Sequence, residues 1–137
     1  MNKIKAFTLL EILVTVIIIG ILVGLAIPNF TKSRERALDK EAQTVLILIQ
    51  SAEKMYYMKD GTSYYPSAAN TSVSVNSINV SLRLNLFSAS WDYGINTGAD
   101  TAYTATALRK DTSAEWIRTW EIIASDTAAR CVSGPCP

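Results

Sequence analysis

The sequence predicts an α+β protein: one long N-terminal helix, membrane-spanning in its first half and amphipathic in its second, packed on a small antiparallel β-sheet head. Three observations predict it. Residues 7–27 are an almost unbroken apolar run. Apolar residues then recur at steps of three and four from Leu38 to Tyr56. From Gly61 onward the chain turns to Ser, Thr, Asn, Tyr and Ala, with short alternating stretches. The 137 residues therefore divide into a short basic stretch at 1–6, an apolar helix at 7–28, its amphipathic continuation at 29–60 and a globular head at 61–137. Average composition conceals this division, because 49% hydrophobic and 18% charged residues would suit one ordinary domain.

The run from Phe7 to Ile27 is interrupted only by Thr8, Glu11 and Thr15. At ~1.5 Å of rise per residue it reaches about 30 Å, the thickness of a hydrocarbon core. Preceded by Lys3 and Lys5, it reads either as a secretory signal peptide cut after the small residues Gly24 and Ala26, or as a single-pass anchor. Neither reading accounts for Glu11, because acidic residues in bilayers are costly and have a partner or a role. Thr8 and Glu11 have capping-box spacing, and a carboxylate in a first turn suits the helix dipole. Gly20, Gly24 and Pro28 recur every fourth residue on one helix face. Gly20 and Gly24 form a Gly-x-x-x-Gly pattern that permits close helix packing in a membrane.

Lys5-Ala6-Phe7-Thr8-Leu9-Leu10-Glu11 followed by the apolar run resembles the N-terminus of type IV pilins and pseudopilins. The resemblance covers roughly the first quarter of the chain. It implies that residues 1–6 are a leader removed by a prepilin peptidase between Ala6 and Phe7, and that the same enzyme N-methylates Phe7. Ala6 departs from the family's usual glycine before the cut, which implies slower processing. Glu11 then takes the place of the family's glutamate, fifth from the new terminus, and Pro28 that of a helix-bending proline. Glycine and proline both weaken a helix, so Gly20, Gly24 and Pro28 would let this stretch bend or unwind. A new amino group at Phe7 of a neighbouring subunit would neutralise Glu11 and favour one axial register. The implied partners are copies of the same chain in a helical filament, the peptidase and an assembly machinery in the bacterial inner membrane. The N-terminus would be cytoplasmic and the head exported, to an extracellular pilus or a periplasmic pseudopilus. The positive-inside count opposes this orientation, with Lys32, Arg34, Arg36 and Lys40 after the run against Lys3 and Lys5 before it. The cysteine pair and the leader pattern outweigh it.

Beyond Pro28 the helical pattern persists to about residue 59. Leu38, Ala42, Val45, Ile49, Ala52 and Tyr56 form one face, and Lys40, Glu41, Gln43, Gln50, Glu53 and Lys54 lie off it. Lys59-Asp60-Gly61 supplies the stop. Gly61 to Pro66 reads as a loop carrying two tyrosines. Ile78–Leu86 alternates strictly and is read as a half-buried strand. Trp91–Ile95 is a second, with Asn96 to Gly98 as a turn, and Tyr103–Leu108 and Trp116–Ala124 are further strands. The tyrosines at 56, 57, 64 and 65 read as core or subunit contact.

The chain has no histidine, which excludes Ser-His-Asp and Cys-His catalysis and histidine-ligated zinc. A net charge of +1 gives no field for nucleic acid. The head's acids lack calcium-loop spacing, so neither metal nor cofactor is expected. Cys131 and Cys136 are idle thiols or part of a metal site if reduced. Gly134 and Pro135 favour a turn that brings the sulfurs together, so a disulfide and an oxidising compartment are preferred. Asn70-Thr-Ser72 and Asn79-Val-Ser81 match the glycosylation triplet. The leading functional reading is a non-enzymatic filament subunit serving adhesion, motility, DNA uptake or secretion. A major pseudopilin of a type II secretion system stands second, and a membrane-anchored or secreted ligand-binding protein is the alternative of another class.

N-terminal analysis of the mature protein separates these readings. Methylated Phe7 is expected; a start at Ile27 would mean a signal peptide, and an intact Met1 a plain anchor.

Overall fold

A computed structural model describes residues 7–136, leaving out 69, 88, 99–101, 112 and 114, and for 26–29 it describes the backbone alone. The chain falls into two compact units, one ending at Glu35 and one spanning Arg36–Pro137. Helix α1 (Leu9–Asp60) contributes to both. From Leu9 to Leu25 it presents apolar side chains on all sides. It ends in the second unit as expected: Gly61 adopts φ +82° and donates its N–H to the Tyr57 carbonyl at 2.7 Å. Asp60 Oδ2 accepts the hydroxyls of Thr62 and Ser63, which holds its pKa below the usual range, Ser63 contributing most.

The second unit adds strand β1 (Ser72–Ser74), helix α2 (Val75–Ser81) and strands β2 (Trp91–Thr97), β3 (Tyr103–Arg109), β4 (Thr119–Ile123) and β5 (Arg130–Ser133). The strands form one antiparallel sheet in chain order. Its buried face is built in large–small–large rows: Tyr93 and Trp120 flank Ala107, and Ile95 and Ile122 flank Ala105. These side chains share one core with Ala42, Leu46, Ile49 and Ala52 of α1. The expected helical stripe thus meets the sheet, with Leu46 added to it.

Four expectations are corrected. Residues 78–86 are not a strand. Ile78, Leu82 and Leu86 are spaced by four as well as by two, and these three are buried while Val80 is 80% exposed. Asn79 donates its Nδ2 to the Leu86 carbonyl and accepts the Leu86 N–H on Oδ1, and Arg83 at φ +55° turns the chain between them. Asn96 and Thr97 continue β2 rather than turning, because Thr97 is buried and its hydroxyl donates to the Ala68 carbonyl. Trp116 precedes β4 in a turn that Ser113 closes, so that strand starts only at Thr119. Gln50 and Glu53, expected off the buried stripe, are inside, because each has a polar partner across the core.

β5 closes the sheet at one edge. Arg130 donates twice to Glu121 Oε1, and Cys131 pairs with Cys136 in a disulfide, as expected. Gly134 within that loop has φ +85°, and a Cβ there would collide with the Ile117 carbonyl and lie 2.8 Å from Arg118 Cα. Both obstacles are backbone and cannot step aside. Gly134→Ala should therefore cost about 2–4 kcal/mol, read as a thermal midpoint lower by roughly 8–16 °C for the full chain in detergent.

Candidate assembly surface

The candidate site begins where α1 begins. Thr8 supplies half of the expected capping box, accepting the Glu11 N–H on its side-chain oxygen at 3.3 Å and on its carbonyl at 3.1 Å. The Glu11 carboxylate is exposed and has no partner among the described residues. Phe7 is 74% exposed. Ala6 lies outside the described residues. From Leu9 to Leu25 the large apolar side chains are exposed around the whole helix, Val14 least at 43% and Leu9 most at 84%. Each such side chain forfeits roughly 1.5–3 kcal/mol by remaining in water rather than being buried. The one hydroxyl in the middle of the run, Thr15, donates to the Ile12 carbonyl at 2.8 Å, so its side chain brings no unmet donor into an apolar surrounding. This helix is long and apolar enough to cross a membrane.

A Cβ added at Gly20 or Gly24 would meet nothing within 4 Å. The chain's own packing therefore does not require glycine at either place. Helix α1 continues through Pro28, which has no N–H to return to the Gly24 carbonyl.

The head is tied to its own stretch of α1 by polar groups that the apolar pattern did not reveal. Asp39 Oδ1 accepts Arg118 Nε at 2.6 Å and Trp120 Nε1 at 3.1 Å, all three residues being buried. Trp91 donates its indole N–H to the Leu38 carbonyl, and its ring has the guanidinium carbons of Arg118 and Arg109 at 5.7 and 5.8 Å from its centre. Gln50 Nε2 donates to the carbonyls of Ile123 and Asp126. Glu53 Oε2 accepts the Tyr65 N–H at 2.9 Å, just ahead of the cis peptide to the buried Pro66. A tyrosine cluster encloses that loop: Tyr57 stacks on Tyr64, which meets Tyr103 edge-on, and Tyr65 meets Tyr56. The aromatics expected as core or contact are thus head packing.

Among the described residues no three acidic or cysteine side chains converge as metal ligands would. An open groove of about 310 Å³ lies between Ala52, Tyr56 and Leu84, with Lys59 and Arg83 among its lining. Of the two glycosylation triplets, Asn79 has its amide engaged and Asn70 is exposed.

Residues 1–27 match the prokaryotic N-terminal methylation motif. The chain is 43% identical over 53 residues to the type IV major pilin protein PilA of Myxococcus xanthus, covering 39% of this chain and 24% of that protein. It is 37% identical over 67 residues to the type II secretion system core protein G of Vibrio cholerae, covering 49% and 44%. It is 40% identical over 57 residues to the competence protein ComGC of Streptococcus pneumoniae, covering 42% and 53%. Its N-terminal region is therefore similar to those of type IV pilins and pseudopilins. The matched stretches span from about a quarter to about half the length of these curated relatives. No solved structure matches the chain. The pilin-like apolar helix and the five-stranded antiparallel head accord with the α+β architecture expected from sequence.

Burial pushes the Glu53 carboxyl up to about 7 from its ordinary value near 4.5, against the lowering effect of the Tyr65 N–H. A raised native pKa means that the folded head holds a proton the unfolded chain releases. Glu53 therefore contributes its full stability below pH ~4.5, and that contribution is lost as pH rises to about 7, by roughly 3 kcal/mol. Urea midpoints between pH 4.5 and 7.5 should fall accordingly, and Glu53→Gln should flatten the slope.

Proposed function

We propose that this chain is a structural subunit, and not an enzyme, of a type IV pilus-like filament. It is inserted in the inner membrane as a prepilin, cleaved between Ala6 and Phe7, N-methylated at Phe7 and polymerised through its apolar helix. In this reading residues 1–6 are the leader, 7–28 the membrane and filament-core helix, 29–60 its amphipathic half and 61–137 the head. The observation that carries it is a helix with exposed apolar side chains on every side, opened by a carboxylate without a partner among the described residues. The methylation motif supports the cleavage and the modified terminus.

A lone carboxylate in a core of packed apolar helices is strongly unfavourable unless paired. The amino group created at Phe7 by cleavage is the cation available at the same end of a neighbouring copy. Leader removal thereby becomes a precondition for polymerisation, and the pairing selects one axial stagger. The bare Cβ space at Gly20 and Gly24 supports close approach of a neighbouring helix. Gly24 and Pro28 would also allow the helix to unwind locally on leaving the bilayer. The likeness to core protein G supports a second version of the same reading, a major pseudopilin of a type II secretion system.

Glu11→Ala should remain membrane-inserted and be cleaved normally, while sheared filament falls by about ten-fold or more relative to total subunit. Wild-type filament yield from that variant would refute the pairing.

A further inference from the structure

The orientation proposed above leaves four cations on the exported side of the apolar run, where the positive-inside tendency disfavours them: Lys32, Arg34, Arg36 and Lys40. Depth decides which of them a membrane can feel. At ~1.5 Å per residue, Lys32 lies about 7 Å and Arg34 about 10 Å past Ile27, where the apolar run ends. The headgroup layer on one side of a bilayer is roughly 5–8 Å thick. Helical side chains lean toward the helix N-terminus, so the stems of Lys32 and Arg34 point back toward the bilayer and can bring their charges into that layer. Arg36 and Lys40 belong to the second compact unit and are not part of this surface.

Lys32 and Arg34 are exposed, and neither has an ion pair with a described residue. The nearest acid in the sequence, Glu35, is buried and already engaged. Phe30, 71% exposed, places an aromatic ring between the end of the apolar run and the two cations, as at a membrane interface. Apolar run, exposed ring and two cations follow one another in the order in which hydrocarbon, interface and headgroup phosphate are met.

We propose that Lys32 and Arg34, on opposite sides of α1, each bind an anionic phospholipid headgroup and so hold the unassembled subunit at a fixed depth on the exported face of the membrane. Arg34 suits its phosphodiester through two parallel N–H donors, and Lys32 meets a separate headgroup as a point charge. Nucleic acid is the poorer ligand, because two cations at headgroup depth offer it no extended track. The proposal rests on the membrane-spanning reading of residues 7–28.

The test uses the full chain in nanodiscs of phosphatidylcholine with one part in three phosphatidylglycerol, with retained lipid counted by native mass spectrometry. Phosphatidylglycerol should be enriched over phosphatidylcholine. The enrichment should fall roughly five-fold for Lys32→Gln or Arg34→Gln and about 25-fold for both. It should weaken in high salt and be indifferent to Lys40→Gln and Lys54→Gln. Unchanged enrichment in the double variant, or an equal loss with Lys40→Gln, overturns the proposal. Carbonate-resistant membrane integration, measured in parallel, separates the two claims. An integrated chain without lipid preference removes headgroup binding alone, whereas a chain that does not integrate removes the membrane-spanning reading together with it.

Discussion

The apolar side chains from Leu9 to Leu25 surround their helix, and no described part of the chain covers them. In water that surface would be strongly unfavourable, so this stretch needs either lipid or other copies of itself. The polar exceptions conform to that constraint. Thr15 returns its hydroxyl to its own backbone, and Glu11 sits in the first turn, where amide N–H groups and the helix dipole ease a negative charge. An unmet carboxylate elsewhere in the run would hinder burial in either surrounding. At the helix start it leaves one specific charge to be matched when the helix is covered.

The head answers a different problem. Apolar packing of α1 on a sheet would tolerate sliding by a turn, since Ala42, Leu46 and Ile49 repeat much the same shape along the helix. Three buried polar side chains on α1 remove that freedom by binding three different places. Asp39 reaches β4 and the residue before it, Gln50 reaches the carbonyls at and just after the end of β4, and Glu53 reaches the loop at Tyr65. Each would be left buried and unpaired by a shift of one turn, at roughly 1–3 kcal/mol or more apiece. The alanines at the centre of β3 leave depth on the buried face, and the flanking tyrosine, tryptophan and isoleucines fill the sides.

Much of this was legible in the sequence, for physical reasons that differ by region. The helix and its stop could be read because a 3.6-residue period and a glycine after Lys59-Asp60 are local signals. Strands β2 and β3 declared themselves by alternation, and the Thr8–Glu11 cap by spacing. Residues 78–86 misled because Ile78, Val80, Leu82, Leu84 and Leu86 satisfy a two-residue and a four-residue period together. What chose between them was a side-chain contact, Asn79 to Leu86, that no periodicity encodes. β1 has one apolar residue among its three, and β5 gains its place from Glu121 and the disulfide, so neither carries a pattern of its own. The buried positions of Asp39, Gln50 and Glu53 were hidden for the same reason: their partners lie far along the chain.

The indole contacts have an optical consequence. Two of the three tryptophans, Trp91 and Trp120, donate their N–H groups to consecutive residues of α1, and Trp91 also lies beside two guanidinium groups. Their emission and near-ultraviolet dichroism are therefore coupled to the seating of the sheet on the helix rather than to the sheet alone. Trp116, half-buried in the turn before β4, adds a third signal of its own. The molecule carries its own chromophore at the junction between helix and head, so changes at that junction can be followed without an attached label.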